Sequence, residues 1–127
     1  MAVRIFITGG TFDKEYNELT GQLFFNDTHM HDLLELGRCK VPVETRTLMM
    51  VDSLEMTDED RSLIVHQCLS CEETQIVITH GTDTMAQTAA LVDMVAELEA
   101  RLDSRLASLE ARLTALEATS SETRGPG

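Results

Sequence analysis

Three short runs rich in β-branched residues, separated by polar or helical stretches, constrain this chain more than any other feature. Val3 to Thr8 is apolar and followed at once by Gly9-Gly10, the pattern of a buried strand running into a tight turn. Val41 to Leu48 alternates apolar and polar positions (Val41, Val43, Thr45, Thr47) and has Pro42 near its start, so it reads as a half-buried strand. Gln75 to Thr79 is the third, another buried strand, ending in His80-Gly81. Between them, Thr11 to Asp27 is polar, Thr28 to Leu36 has a short helical pattern with Gly37 suited to its C-terminal cap, and a helix opens at Thr57 and runs to about Ser70. Asp60, three residues after Thr57, completes a capping-box pattern. This β-α-β-α-β order predicts an α/β fold, a parallel sheet with flanking helices in three layers, joined by right-handed crossovers. In such sheets chemistry gathers beyond the C-terminal ends of the strands, where Thr11 and Thr82-Asp83 both fall.

The chain changes character near Met85. Beyond it Ala, Leu, Glu and Arg dominate, and Lys, His, Cys and aromatic residues disappear. The segment reads as one long C-terminal helix, with Thr84 and Gln87 spaced for a capping box and Leu91, Met94, Val95 and Leu98 available to face the sheet. Leu98, Leu102, Leu106, Leu109, Leu113 and Leu116 then form a heptad-like stripe of coiled-coil character. Met85 to Ala118 would make about 51 Å of helix, longer than a small domain is wide, so its distal half is expected to project and to need a partner helix. The domain expectation is therefore 1–92 as a partial α/β domain, 93–118 as the coiled-coil helix and 119–127 as a disordered tail.

Charge narrows the partners. The net charge of -12 is not offset by any basic stretch, which argues against nucleic acid and against anionic membrane. No apolar run approaches a bilayer span, and the N-terminus lacks signal-peptide architecture. Three cysteines, Cys39, Cys68 and Cys71, are an odd number and suggest reduced thiols in a cytoplasmic protein. Cys68 and Cys71 have the spacing of half a zinc site but no second pair, and His29 and His31 do not share a helix face, so neither a metal nor a cofactor is expected.

Two motifs bear chemistry. Thr8-Gly9-Gly10-Thr11 lets the backbone turn sharply and aim amides at an anion or a developing oxyanion. Thr82-Asp83-Thr84, after a strand and before a helix, puts a hydroxyl and a carboxylate in one crevice, or simply caps the helix. Taken together, Ile7-Thr8-Gly9-Gly10-Thr11 and Ile76-Val77-Ile78-Thr79-His80-Gly81-Thr82-Asp83-Thr84-Met85, with Val51-Asp52-Ser53-Leu54-Glu55-Met56 between them, resemble the bacterial-type L-asparaginase/glutaminase family. The resemblance covers roughly Val3 to Val92, the beginning of that family's N-terminal domain.

The resemblance implies a cofactor-free amidohydrolase that converts the side-chain amide of L-asparagine to aspartate and ammonia through a threonine nucleophile and an acyl-enzyme. Thr11 would be that nucleophile and Tyr16, on a loop after it, would help to close the site. Asp52 and Ser53 would belong to the substrate-binding loop, Ser53 holding the α-carboxylate. Asp83 would hold the α-ammonium, and Thr82 would sit beside the scissile amide. The family pairs its second Thr and Asp with a catalytic lysine further along, and no lysine follows Lys40 here. The family's next strands give way to the leucine-striped helix. The alternative expectation is therefore a catalytically incomplete, truncated asparaginase-like unit fused to a coiled-coil oligomerisation helix. Either form is expected to be a homo-oligomer.

Overall fold

The computed structural model describes residues 1–123 and Gly125. It divides into two compact units, Met1–Val92 and Asp93–Gly127, each described here by itself.

The first unit is built on β1 (Val3–Ile7), whose apolar run is buried on both faces. A single 3-10 turn over Thr11–Asp13 follows, then β2 (Lys14–Asn17), β3 (Gln22–Phe25), α1 (Met30–Leu36), β4 (Val43–Thr47), α2 (Asp58–Ser70) and β5 (Gln75–Thr79). β1 lies between β4 and β5, and both pairings are parallel: Ile5 sits opposite Thr45 on one side and Val77 on the other. Successive residues of β1 point to opposite faces. Ile5 and Ile7 pack with Met30, Leu34, Val43 and Met50, so α1 covers that face. Phe6 is turned the other way, beside a recess lined also by Gln67 and Ser70 of α2. The expected parallel sheet with flanking helices is the fold of this unit.

Local details agree with the sequence in part. Thr57 and Asp60 form the capping box: the Thr57 hydroxyl accepts from the Asp60 amide at 3.2 Å, and the Asp60 carboxylate accepts from the Thr57 amide at 3.0 Å. Gly37 is the C-cap of α1, but with a right-handed backbone; the positive φ of 50° falls on Arg38. The polar stretch from Thr11 to Asp27 is not a plain loop. It contains the antiparallel β2–β3 hairpin, whose turn is held by the Asn17 carboxamide oxygen accepting from the amides of Leu19 and Thr20 and by Gly21 at φ +72°. Its charged and polar residues hide the strand pattern, because the hairpin stands apart from the three-stranded sheet. β5 was expected to be buried, yet Val77 is 49 % exposed, since β5 pairs with β1 alone and forms a sheet edge.

α3 runs from Met85 to Thr123 and carries the second unit. Thr84 does not complete a capping box with Gln87; its hydroxyl donates instead to the Ser53 carbonyl at 2.8 Å. Of the four apolar residues Leu91, Met94, Val95 and Leu98, Met94 and Leu98 are exposed and Leu91 and Val95 half-buried. The tail expected from residue 119 is helical as far as Thr123. There Thr119, Ser121 and Thr123 turn their hydroxyls back onto carbonyls three or four residues earlier. Arg124, Pro126 and Gly127 of that tail lie outside the described residues. Among the described residues no helix is long and apolar enough to cross a membrane.

Candidate active site

Three loops meet beyond the C-terminal ends of β1, β4 and β5. The first leaves β1 through Gly9 and Gly10, at φ +110° and +125°, a region L-residues rarely adopt. A Cβ on Gly9 would lie 2.6 Å from the Val51 carbonyl oxygen and 2.8 Å from its nitrogen, so only glycine lets this loop touch the next. The second loop is tied to the first by backbone bonds: the amides of Leu48 and Val51 donate to the carbonyls of Ile7 at 2.8 Å and Thr8 at 3.1 Å. The third leaves β5 through His80 and Gly81. A Cβ on Gly81 would meet the Ser53 Oγ at 2.8 Å, so this glycine too is a requirement of close approach. The Thr84 hydroxyl, bonded to the Ser53 carbonyl, locks the second and third loops together.

The result is a small cleft lined by Gly10, Thr11, Lys14, Asp52, Ser53, Gly81, Thr82 and Asp83. Five residues singled out from sequence converge on it: Thr11, Asp52, Ser53, Thr82 and Asp83. Thr11, Thr82 and Asp83 are exposed and open to a ligand. Ser53 is only 2 % exposed, and its hydroxyl has no hydrogen-bond partner among the described residues. Burying a hydroxyl without a partner is unfavourable, so such a group in a cleft wall is suited to meet a polar ligand atom. Tyr16 does not line the cleft. It stands on β2, 63 % exposed, and pairs across the hairpin with Leu23.

Lys14 is the cleft residue that sequence reasoning missed. It opens β2, places its ammonium 2.8 Å from the Asp52 carboxylate and lies 5.2 Å from the centre of the Phe25 ring. The Lys14 hydrogen bond, followed by that of the Leu54 amide, holds the Asp52 carboxyl below the usual carboxylate range. The only signal available was position, since Lys14 is three residues beyond Thr11.

Two further polar groups support the site from behind. Asp13 is fully buried; its carboxylate accepts from the Thr28 hydroxyl and from the His29 amide at 2.8 Å, tying the short 3-10 turn that begins at Thr11 to the start of α1. His80 is buried, its Nε2 2.8 Å from the Thr88 hydroxyl and its Nδ1 2.6 Å from the Gly81 carbonyl. The buried Arg61 donates to that same Thr88 hydroxyl and to the Met56 carbonyl, both at 3.3 Å. Arg61 and Thr88 gave no sequence signal, because an Arg in an acidic helix and a Thr in an Ala-rich one both read as solvent-facing. Among the described residues no three His, Cys, Asp or Glu side chains converge as a metal site would require.

Residues 2–101 match the family model described as Asparaginase, N-terminal. No curated protein sequence matches. Among solved structures, the thermostable L-asparaginase from Thermococcus kodakarensis is similar at 31 % identity and a TM-score of 0.60, over 72 % of this chain and 29 % of that one. L-asparaginase I from Vibrio cholerae matches at 27 % identity and 0.54, over 72 % and 29 %. The probable cytoplasmic L-asparaginase from Campylobacter jejuni matches at 26 % identity and 0.56, over 71 % and 29 %. The matched region thus spans less than a third of the length of these solved proteins.

Proposed function

The chain belongs to the asparaginase family, matching the model of its N-terminal domain over residues 2–101, and we propose that its cleft binds an amino acid of the asparagine type and presents the side-chain amide to Thr11. The observation that carries this reading is the buried, unpartnered Ser53 hydroxyl, in a cleft that also holds two exposed threonines and two aspartates. Ser53 donates to the ligand's α-carboxylate. Asp83 accepts from its α-ammonium, and the N-terminus of α3 behind it favours negative charge in that corner. Thr11 Oγ attacks the amide carbon, its proton leaves to a base, and backbone amides of the glycine turn steady the oxyanion. Collapse, with that proton passed from the base to the amide nitrogen, expels ammonia and leaves an ester on Thr11, which water cleaves to release aspartate and free Thr11. Thr82 orients the scissile amide. Tyr16 acts only if the β2–β3 hairpin swings toward the cleft and covers it.

A second reading is favoured by Lys14. A hydroxyl nucleophile is weak until a neighbour accepts its proton, and an ammonium hydrogen-bonded to Asp52 is a donor, not a base. In this reading the cleft retains ligand binding with little or no turnover. The exposed leucines of α3 favour, in addition, a coiled-coil homo-oligomer. A cytoplasmic setting agrees with the three free thiols.

Two measurements separate the readings. Ammonia release from L-asparagine that disappears in Thr11→Ala supports the hydrolase; activity unchanged by that substitution overturns it. Calorimetry with L-aspartate tests binding alone. Ser53→Ala is expected to weaken the affinity at least tenfold while leaving the urea midpoint nearly unchanged, because the lost hydroxyl has no partner to lose within the protein.

A further inference from the structure

The leucines at 98, 102, 106, 109, 113 and 116 of α3 are 53–68 % exposed. Within the stripe, Leu106 and Leu113 take heptad position a, and Leu102, Leu109 and Leu116 take position d. This register assigns every residue beside the seam. The e positions are Asp103, Glu110 and Glu117; g positions include Arg105 and Arg112. One flank of the seam is therefore acidic and the other basic at these positions. Among the described residues neither arginine pairs with a carboxylate of its own chain, the intrachain ion pairs being those of Arg4, Lys14 and Arg61.

The sorting of charge selects both the partner and its direction. In a parallel coiled coil, a g residue meets the e residue of the following heptad on the other helix, five positions on. Arg105 then faces Glu110 of a second copy, Arg112 faces Glu117, and symmetry doubles both pairs. In an antiparallel pair, g meets g and e meets e, which sets Arg against Arg and Glu against Glu. A one-heptad slip of a parallel pair would strand an arginine or a glutamate at each end and uncover leucines. We propose that the partner of this face is a second copy of the same chain, docked parallel and in register through Leu102, Leu106, Leu109, Leu113 and Leu116. The proposal deepens the coiled-coil reading above and is independent of the amide chemistry in the cleft.

Light scattering on the full chain tests it. The wild type is expected at no less than twice the single-chain mass of 14.1 kDa at micromolar concentration. Arg105→Glu with Arg112→Glu puts like charges across every g–e′ contact of a parallel pair and should weaken association at least tenfold at low salt. Adding Glu110→Arg and Glu117→Arg to the same chain should restore it. An antiparallel pair would keep its like-charge contacts in the double variant and show no such loss. Orientation is read directly by Leu116→Cys in a Cys39→Ser, Cys68→Ser, Cys71→Ser chain, which should oxidise to a disulfide-linked dimer. Circular dichroism and ammonia release, measured on each variant, separate misfolding and failure of the cleft reading from failure of this one. A monomeric wild type, a charge-insensitive oligomer, or no cross-link at position 116 overturns the proposal.

Discussion

At the residue scale, the site depends on two kinds of requirement, space and charge. Gly9 combines a positive φ with contact against the Val51 backbone, which cannot retreat as a flexible side chain would. Gly9→Ala is expected to destabilise the chain by about 2 kcal/mol or more, read as a lower urea midpoint, because strain and overlap add. Charge acts through two carboxyls. Lys14 lowers the Asp52 pKa, and Arg4, hydrogen-bonded to Glu73 at 2.7 and 3.2 Å, lowers that of Glu73. Each group thus binds fewer protons in the native state than in the unfolded one. The stabilisation is complete above the ordinary carboxylate range, near pH 4, and is lost as the pH falls through the depressed native values. Urea midpoints should therefore drop on acidification, and Arg4→Met should flatten part of that slope. Both pairs are solvated, so the effect is modest.

At the element scale, α2 and the first turns of α3 are joined by a polar contact rather than by apolar packing alone. Thr88 on α3 holds its hydroxyl against Arg61 of α2 and His80 of the third loop, and Met56 sulfur lies 3.7 Å away. Thr88→Val keeps the shape and removes the hydroxyl, leaving a buried guanidinium and an imidazole each short of a partner. A loss of about 1–3 kcal/mol is expected in chemical denaturation. Thr57→Ala, which only opens an exposed capping box, should cost about 1 kcal/mol. If Thr88→Val proved the milder of the two, the buried contact would not be holding the third loop. The difference matters for the cleft, because His80 immediately precedes the Gly81-Thr82-Asp83 wall.

At the scale of the whole molecule, an α/β unit with two open sheet edges is followed by a helix with an unshielded leucine face. If association through that face stabilises the native state, mass action makes the melting temperature rise with protein concentration. A tenfold increase in concentration should raise it measurably in the full chain and leave it unchanged after deletion of residues 102–127. The sequence by itself determined what is periodic or local: the strand–helix alternation, the Thr57 capping box, the leucine stripe, and three short motifs whose resemblance to the asparaginase family marked Thr11, Asp52, Ser53, Thr82 and Asp83. Those signals survive in one dimension because each is set by neighbours within a few residues. The tertiary structure alone decided that Lys14 meets Asp52, 38 positions away, and that the Thr84 hydroxyl spans 31 positions to Ser53 instead of capping its own helix. It also decided that Tyr16 stands on a hairpin outside the cleft and that Arg61 is buried. Tyr16 is placed by the pairing of its strand, and for Lys14, Thr84 and Arg61 the physical reason is common: a polar side chain takes whichever partner the fold brings within hydrogen-bond reach, and sequence spacing does not specify that partner.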